Sequence, residues 1–182
     1  GFHMAITDLK QGGTLEDLAK VPDEGVTSYK LFMAYKGAIM VDDETLFKTM
    51  EVAADTGALV MVHAENGDAI DVLVKRALAE GKTDPVWHAR TRPPITEGEA
   101  TNRALMMARL HGATAYIVHM TCREAVEALV RAKLSGQHCY GETCPQYLLL
   151  DDTVFAKPDF EGSSYVMSPP IRPGNMGHHD AL

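Results

Sequence analysis

The sequence predicts an α/β fold built on a parallel sheet, and we expect a partial (β/α)8 barrel of the TIM type with about four to five β/α units. Runs of apolar residues of strand length alternate with helical patterns along the chain, and this alternation is typical of parallel sheets. Right-handed crossovers leave two arrangements, an open doubly wound sheet or a barrel. Because no glycine-rich phosphate loop follows any strand, the barrel is favoured over a nucleotide-binding sheet.

The predicted strands are short, apolar segments. Continuous apolar runs suit parallel strands that are covered on both faces. The opening segment is typical of the later part of a strand, and the last predicted strand is a short one. The predicted strands lie within residues 1–7, 27–37, 58–63, 115–119 and 137–142.

The helices between these strands are predicted from capping residues and apolar spacing. Asp42 or Asp43 begins one helix, which Gly57 ends, and Asn66 or Asp68 begins the next. Two later helices are expected to start with capping boxes, Thr96 with Glu99 and Thr121 with Glu124. Residues 82–95 are predicted to form a loop, and the chain after residue 145 is expected to be irregular.

Composition restricts the class of protein. The 182 residues fit one domain, and the net charge of −8 argues against nucleic acid or an anionic membrane as the main partner. No apolar run approaches the roughly 20 residues of a membrane helix. Three cysteines in no framework pattern favour a reduced, cytoplasmic setting. Both chain ends suggest an internal part of a longer protein.

Lys30 lies among apolar or small residues in the middle of a predicted strand. An ammonium group that is buried without a partner costs several kcal/mol, and such a group usually loses its charge. The resulting neutral amine can react with carbon dioxide and form a carbamate, an anion able to bridge two metal ions. A lysine that extends from a strand end into solvent is the simpler alternative.

Two apolar strands each end in a histidine, His63 and His119. Functional side chains of barrels lie at the carboxyl ends of the strands. Imidazole is the commonest side-chain ligand of zinc and similar ions. Together with Lys30, the two histidines therefore predict a metal site, although a hydrogen-bonded histidine at a strand end needs no metal. The remaining histidines, among them His88, are expected to be structural or solvated.

Four motifs together resemble the hydantoinase/dihydropyrimidinase family, the cyclic-amidase branch of the amidohydrolase superfamily. The likeness extends from Gly1 to about Arg172, and the motifs occur in the family's order. The second motif alone would also fit dihydroorotases and allantoinases. The motifs are Ser28-Tyr29-Lys30-Leu31-Phe32-Met33-Ala34-Tyr35, Val62-His63-Ala64-Glu65-Asn66, Val118-His119-Met120-Thr121-Cys122 and Gly141-Glu142-Thr143-Cys144-Pro145-Gln146-Tyr147.

This resemblance implies a role for five residues. Lys30 would be the carboxylated lysine that bridges two zinc ions, and His63 and His119 would bind one of those ions. Tyr35 would bind the substrate carbonyl and stabilise the developing oxyanion. Ser168 would contact the ring amide through its backbone, and residues 33–42 would shape the substrate pocket. Tyr35 as a packed aromatic side chain and Ser168 as a turn residue remain the alternatives.

The chain also departs from the family pattern. The His-x-His pair of the first barrel strand, the aspartate of a late strand and the separate β-rich domain are all missing from the sequence. Residues 1–182 are therefore expected to be a single partial barrel domain from the middle of the enzyme. We expect this segment to show little hydrolysis by itself.

The function implied by the resemblance is metal-dependent hydrolysis of a small cyclic amide or ureide, opening hydantoins or dihydropyrimidines to N-carbamoyl amino acids. The full-length enzyme would be a homotetramer or homodimer with no nucleic-acid or membrane partner. The alternatives are an allantoinase or dihydroorotase, or a non-catalytic dihydropyrimidinase-like scaffold protein.

Overall fold

The fold is centred on a five-stranded parallel sheet. The computed structural model describes residues 1–9 and 14–182. The strands are short, and each pairs with the next one along the chain. They are β1 (Met4–Ala5), β2 (Ser28–Phe32), β3 (Leu59–His63), β4 (Ala115–Ile117) and β5 (Cys139–Gly141).

The strand order follows the order of the sequence, from β1 to β5. With right-handed crossovers, this order places all connecting helices on one side of the sheet, as in a barrel. A doubly wound sheet instead reverses its strand order and carries helices on both faces. The α/β class and the partial barrel predicted from the sequence are confirmed.

The helices connect the strands and cover the outer side of the sheet. Helices α5 (Pro94–His111) and α6 (Arg123–Leu134) pack closely. The space between them is so small that a Cβ atom added at Gly98 would lie 2.5 Å from Cβ of Glu124. No helix in residues 1–9 and 14–182 combines the length and apolar character needed to cross a membrane. The α-helices are α1 (Thr14–Lys20), α2 (Asp43–Thr56), α3 (Gly67–Ala79), α4 (Val86–Arg90), α5 (Pro94–His111), α6 (Arg123–Leu134) and α7 (Pro145–Leu149). Short 3-10 helices occupy Val21–Glu24, Asp152–Ala156, Glu161–Tyr165, Gly174–Met176 and His179–Ala181.

Two of the predicted helix starts are confirmed in atomic detail. The Asp42 carboxylate accepts a hydrogen bond from the Thr45 backbone N–H at 2.8 Å and caps α2. The Asn66 side chain accepts one from the Ala69 backbone N–H at 3.0 Å and caps α3. Side-chain oxygens at these positions satisfy backbone donors that the first helical turn leaves free.

The two predicted capping boxes are wrong. Helix α5 begins at Pro94, and the Thr96 hydroxyl donates to the Pro93 carbonyl instead of capping the helix. Helix α6 begins at Arg123, after Cys122, and lacks a side-chain cap. The predicted loop 82–95 contains the short helix α4, and the chain after residue 145 includes α7 and several 3-10 turns.

The two faces of the sheet differ in burial. Side chains on the outer face, such as Leu31, Val60 and Ile117, are buried in the main core under the helices. The opposite face, which is the barrel interior, carries Lys30 on β2 and His63 on β3. Side chains alternate between the two faces of a strand. Phe32, two positions after Lys30, is in register with His63, so all three lie on this interior face.

Gly67 at the start of α3 is in close contact with the loop after β2. A Cβ atom at this position would lie 2.7 Å from the Met33 carbonyl oxygen and 2.9 Å from Cα of Ala34. We predict that Gly67→Ala lowers the free energy of unfolding by about 1–3 kcal/mol, the usual cost of overpacking. Lys36→Ala, which removes an exposed ion pair with Asp68 and leaves the start of α3 unchanged, is the control and should cost at most about 1 kcal/mol. Denaturant unfolding measures both, and equal effects would contradict the close contact.

Candidate metal centre

His63 and His119 meet at the carboxyl edge of the sheet, as the sequence predicts. His63 is the last residue of β3, and His119 follows β4 after one residue. The distance between Nδ1 of His63 and Nε2 of His119 is 3.0 Å, and their rings meet edge to face. Two nitrogens bound about 2.0 Å from one tetrahedral ion would lie roughly 3.3 Å apart. The pair is therefore close to the geometry that a single ion requires.

Glu65 orients the first of these imidazoles. Its carboxylate lies 2.7 Å from Nε2 of His63, and both side chains are buried. A carboxylate on the outer nitrogen of a histidine fixes the ring and leaves the other nitrogen to bind a metal. The donor set at this edge thus fits a divalent ion such as zinc.

The environment keeps His119 neutral. Its pKa is lowered to about 3 by burial, by the neighbouring His63 and by the positive charge of Lys30. A histidine must be neutral to bind a metal ion. The Nδ1 atom of His119 is buried and has no hydrogen-bond partner in the part of the chain that the structure describes. His119 is therefore held in the protonation state of a metal ligand.

Lys30 is half-buried on the same interior face. Its Nζ lies 4.1 Å from the centre of the Phe32 ring and 3.4 Å from the Leu31 carbonyl oxygen. Burial lowers the pKa of the amine to about 8, although the charge of Glu142 opposes this shift. Because the pKa is lowered, more of the amine is neutral at neutral pH than for an exposed lysine. Lys30 packs on Phe32, whose ring centre lies 5.9 Å from that of His63, so the amine is on the side of the sheet that carries the histidine pair.

Tyr35 and Ser168 lie beside the histidine pair. The Tyr35 ring centre is 4.9 Å from that of His63. Burial raises the pKa of the Tyr35 phenol, and a hydrogen bond with the Ser168 side chain opposes the rise. Ser168 Oγ is also 3.2 Å from Nε2 of His88. The structure thus places all five residues singled out from the sequence in one region.

Two of these residues have a strained backbone. Tyr35 and His119 have φ angles of 69° and 43°, in the left-handed region that only a few per cent of residues other than glycine adopt. Such a conformation costs about 1–3 kcal/mol and is concentrated at functional sites. The fold therefore keeps both side chains in place against a local penalty.

Three site residues were missed in the sequence. Glu65 follows His63 by two positions, and this spacing from a predicted ligand was the available signal. Arg92, half-buried, lies close enough to Tyr35 and Glu65 for its charge to affect both. His88, expected to be structural or solvated, is half-buried and contacts Ser168 and the Met167 carbonyl, which is compatible with a structural role. Arg92 and His88 both lie in the predicted loop 82–95, and the length of that loop was the available signal.

Within residues 1–9 and 14–182, no three His, Cys, Asp or Glu side chains converge as a ready metal site. Two imidazoles meet at the carboxyl edge of a parallel barrel sheet, and one amine lies on the same interior face. Nitrogen donors at this edge of a barrel are typical of metal-dependent hydrolases.

Comparison with known proteins identifies relatives of this chain. The chain is 53% identical over 173 residues to a D-hydantoinase of Geobacillus stearothermophilus, covering 94% of this chain and 36% of that protein. It is 45% identical over 183 residues to a dihydropyrimidinase of Arabidopsis thaliana, covering 100% of this chain and 34% of the relative. No family model matches the chain.

A solved structure gives the same result. The fold superimposes on a dihydropyrimidinase from Brevibacillus agri with a TM-score of 0.96 at 54% identity, covering 100% of this chain and 39% of that chain. The chain is thus related, along nearly all of its length, to the D-hydantoinases and dihydropyrimidinases. It spans less than two-fifths of the length of these relatives.

Proposed function

We propose that these residues form part of a metal-dependent cyclic amidohydrolase that opens hydantoin or dihydropyrimidine rings to N-carbamoyl amino acids. The observation that carries this proposal is the His63–His119 pair, 3.0 Å apart and oriented by Glu65. It occurs in a chain whose relatives are D-hydantoinases and dihydropyrimidinases. The resident metal would be a pair of zinc ions.

His63 Nδ1 and His119 Nε2 would hold one ion, and Lys30, as its carbamate, would bridge this ion to the second. Support for the bridge comes from the half-buried amine, its lowered pKa and its place on the same interior face as His63. When bound, such a metal pair lowers the pKa of a water molecule and polarises a carbonyl group.

The side chains around the pair would bind and orient the ring. Tyr35, whose phenol is protonated at neutral pH, would donate a hydrogen bond to the ring carbonyl and to the oxyanion that develops from it. The Ser168 backbone would contact the ring amide.

The wider setting is part of the same proposal. The net charge of −8 is consistent with a small-molecule enzyme that has no nucleic-acid or membrane partner. We place the full-length protein in the cytoplasm as a homotetramer or homodimer, with residues 1–182 in a single barrel domain.

The function is tested by assaying the purified full-length protein on hydantoin, dihydrouracil, allantoin and dihydroorotate, before and after treatment with a chelator. We expect N-carbamoyl products from the first two rings, loss of activity on chelation and recovery with zinc. Turnover of allantoin or dihydroorotate alone would identify those enzymes instead. A protein that binds no metal and opens no ring would be the scaffold alternative.

Glu65→Gln is expected to weaken zinc binding by about 10–100-fold, the usual effect of removing a charged partner from a metal-binding histidine. The amide keeps the size of the side chain but lacks the negative charge that polarises His63. Competition with a chromogenic chelator measures the affinity. Glu44→Gln, which removes an exposed carboxylate paired with Lys48, is the control and should leave binding unchanged. Equal affinity of Glu65→Gln and wild type would contradict the role of Glu65.

A further inference from the structure

A buried network of charged and polar groups lies behind the candidate metal centre. It consists of Glu97, Thr121 and Arg172, which we term the buried clamp. Each of the three side chains is at most 3% exposed. They come from three separate segments: Glu97 from the first turn of α5, Thr121 from the loop before α6, and Arg172 from the segment that contains Ser168.

The carboxylate of Glu97 binds both other members. Its Oε1 accepts a hydrogen bond from the Thr121 backbone N–H at 2.8 Å, and its Oε2 accepts one from the Thr121 hydroxyl. Oε2 also accepts a hydrogen bond from Nη2 of Arg172 at 2.7 Å. Both oxygens of the buried carboxylate are thus satisfied, and the positive end of α5 adds further stabilisation.

The guanidinium of Arg172 is equally well satisfied. Its Nε donates to the Thr121 hydroxyl at 2.8 Å, and its Nη1 donates to the Arg92 carbonyl. The Thr121 hydroxyl therefore accepts from Arg172 and donates to Glu97. Because all three nitrogens of the planar guanidinium are engaged, the group has one orientation, which a flexible lysine would not reproduce.

The buried clamp connects the loop that carries His119 to the segment that carries Ser168. Thr121 follows the metal-ligand candidate His119 by two residues, and Arg172 follows Ser168 by four. The intervening Ile171 is buried, and the Tyr147 hydroxyl donates to the Pro169 carbonyl at 2.8 Å, so the Ser168 segment has little freedom of its own. A change at Arg172 therefore reaches His119 through Thr121, although the two are distant in the sequence.

We propose that the buried clamp fixes the position of the loop that carries His119 relative to the segment that carries Ser168. Its members Glu97, Thr121 and Arg172 are thus positioning residues, which keep the bound metal and the substrate ring in the correct relative position. This role rests on the proposed function. It is a role beyond ordinary stability, because it links metal retention to substrate binding.

The test uses the full-length, zinc-loaded protein and the variant Arg172→Lys, which keeps the charge and loses the fixed planar geometry. We expect zinc release to a chelator to become about tenfold faster and KM for the cyclic amide to rise by a similar factor. Arg103→Lys, at a half-buried arginine of α5 paired with Asp43 and Glu99, is the matched control and should change neither. Normal zinc release from Arg172→Lys would overturn the proposal, even if KM or thermal stability changed.

A second pair of variants keeps the test decisive if Arg172→Lys does not fold. Thr121→Val removes only the bridging hydroxyl and is expected to accelerate zinc release and raise KM, whereas Thr121→Ser should restore both. Thr101→Val, at a buried threonine of α5 whose hydroxyl has no partner within the described residues, is its control. Unchanged zinc release in Thr121→Val would also refute the proposed role of the buried clamp.

The wild-type measurements separate this proposal from the proposed function. If the wild-type protein takes up zinc and hydrolyses a cyclic amide while the variants behave like the wild type, only the clamp is refuted. If the wild-type protein takes up no zinc, the proposed function and the clamp are both refuted.

Discussion

Lys30→Ala is expected to abolish binding of the metal pair and to reduce hydrolysis by at least about 10³-fold, because in the proposed centre both ions would depend on the anion supplied by Lys30. The histidine pair alone offers only two nitrogens to one ion. Elemental analysis of the full-length protein should show the loss of zinc. A small carboxylate such as acetate, diffusing into the space left by the side chain, should restore part of both the metal and the activity.

Lys75→Ala provides the control for this substitution. Lys75 is an exposed lysine of α3 that pairs with Asp71, away from the sheet edge. We expect its removal to change neither zinc content nor activity. If Lys30→Ala retained two zinc ions per chain and normal turnover, Lys30 would not be the bridge.

Tyr35→Phe is expected to lower kcat by about 10²–10³-fold, the usual effect of removing one donor to a developing oxyanion. The phenyl ring keeps the contacts with Phe32 and His63, so the zinc content should stay at the wild-type value. Steady-state kinetics and elemental analysis on the same preparation measure the two quantities. Tyr165→Phe, at a tyrosine next to Lys157 and outside the site, should leave kcat unchanged. A Tyr35→Phe variant with wild-type kcat would show that the ring only packs.

The sheet was predictable because its signals are local. Each strand is an apolar run, and the carboxyl ends of neighbouring parallel strands meet at one edge. Two histidines at the ends of β3 and β4 therefore had to approach each other once the strands paired in register. Because side chains alternate between the two faces of a strand, Lys30 could also be expected on the face that carries His63.

The helix starts were less predictable where long-range contacts compete with capping. Thr121 has the spacing of a capping residue, but its hydroxyl binds Glu97 and Arg172, which lie 24 and 51 residues away. At Thr96 the competing partner is local, because its hydroxyl donates to the Pro93 carbonyl three residues earlier. A capping motif takes account only of residues that are close in the sequence. A buried carboxylate and a buried guanidinium from distant segments are charged partners, and they bind a hydroxyl more strongly.

The residues that support the site were also hidden from sequence patterns. His88 lies in what looked like a loop, and its contact with Ser168 spans 80 residues. Arg92 follows α4 and approaches Tyr35 only because the loops after β2 and around α4 converge. Such contacts depend on tertiary packing, which no local spacing of residues encodes.

The bridging role of Lys30 is tested most directly by a diffraction structure of the full-length protein prepared with zinc and bicarbonate, with anomalous data collected at the zinc edge. We predict two zinc ions, one bonded to His63 and His119, and a carboxyl group on Nζ of Lys30 that bonds to both ions. A free amine at Lys30, with no ion within bonding distance of the two imidazoles, would contradict the proposed centre.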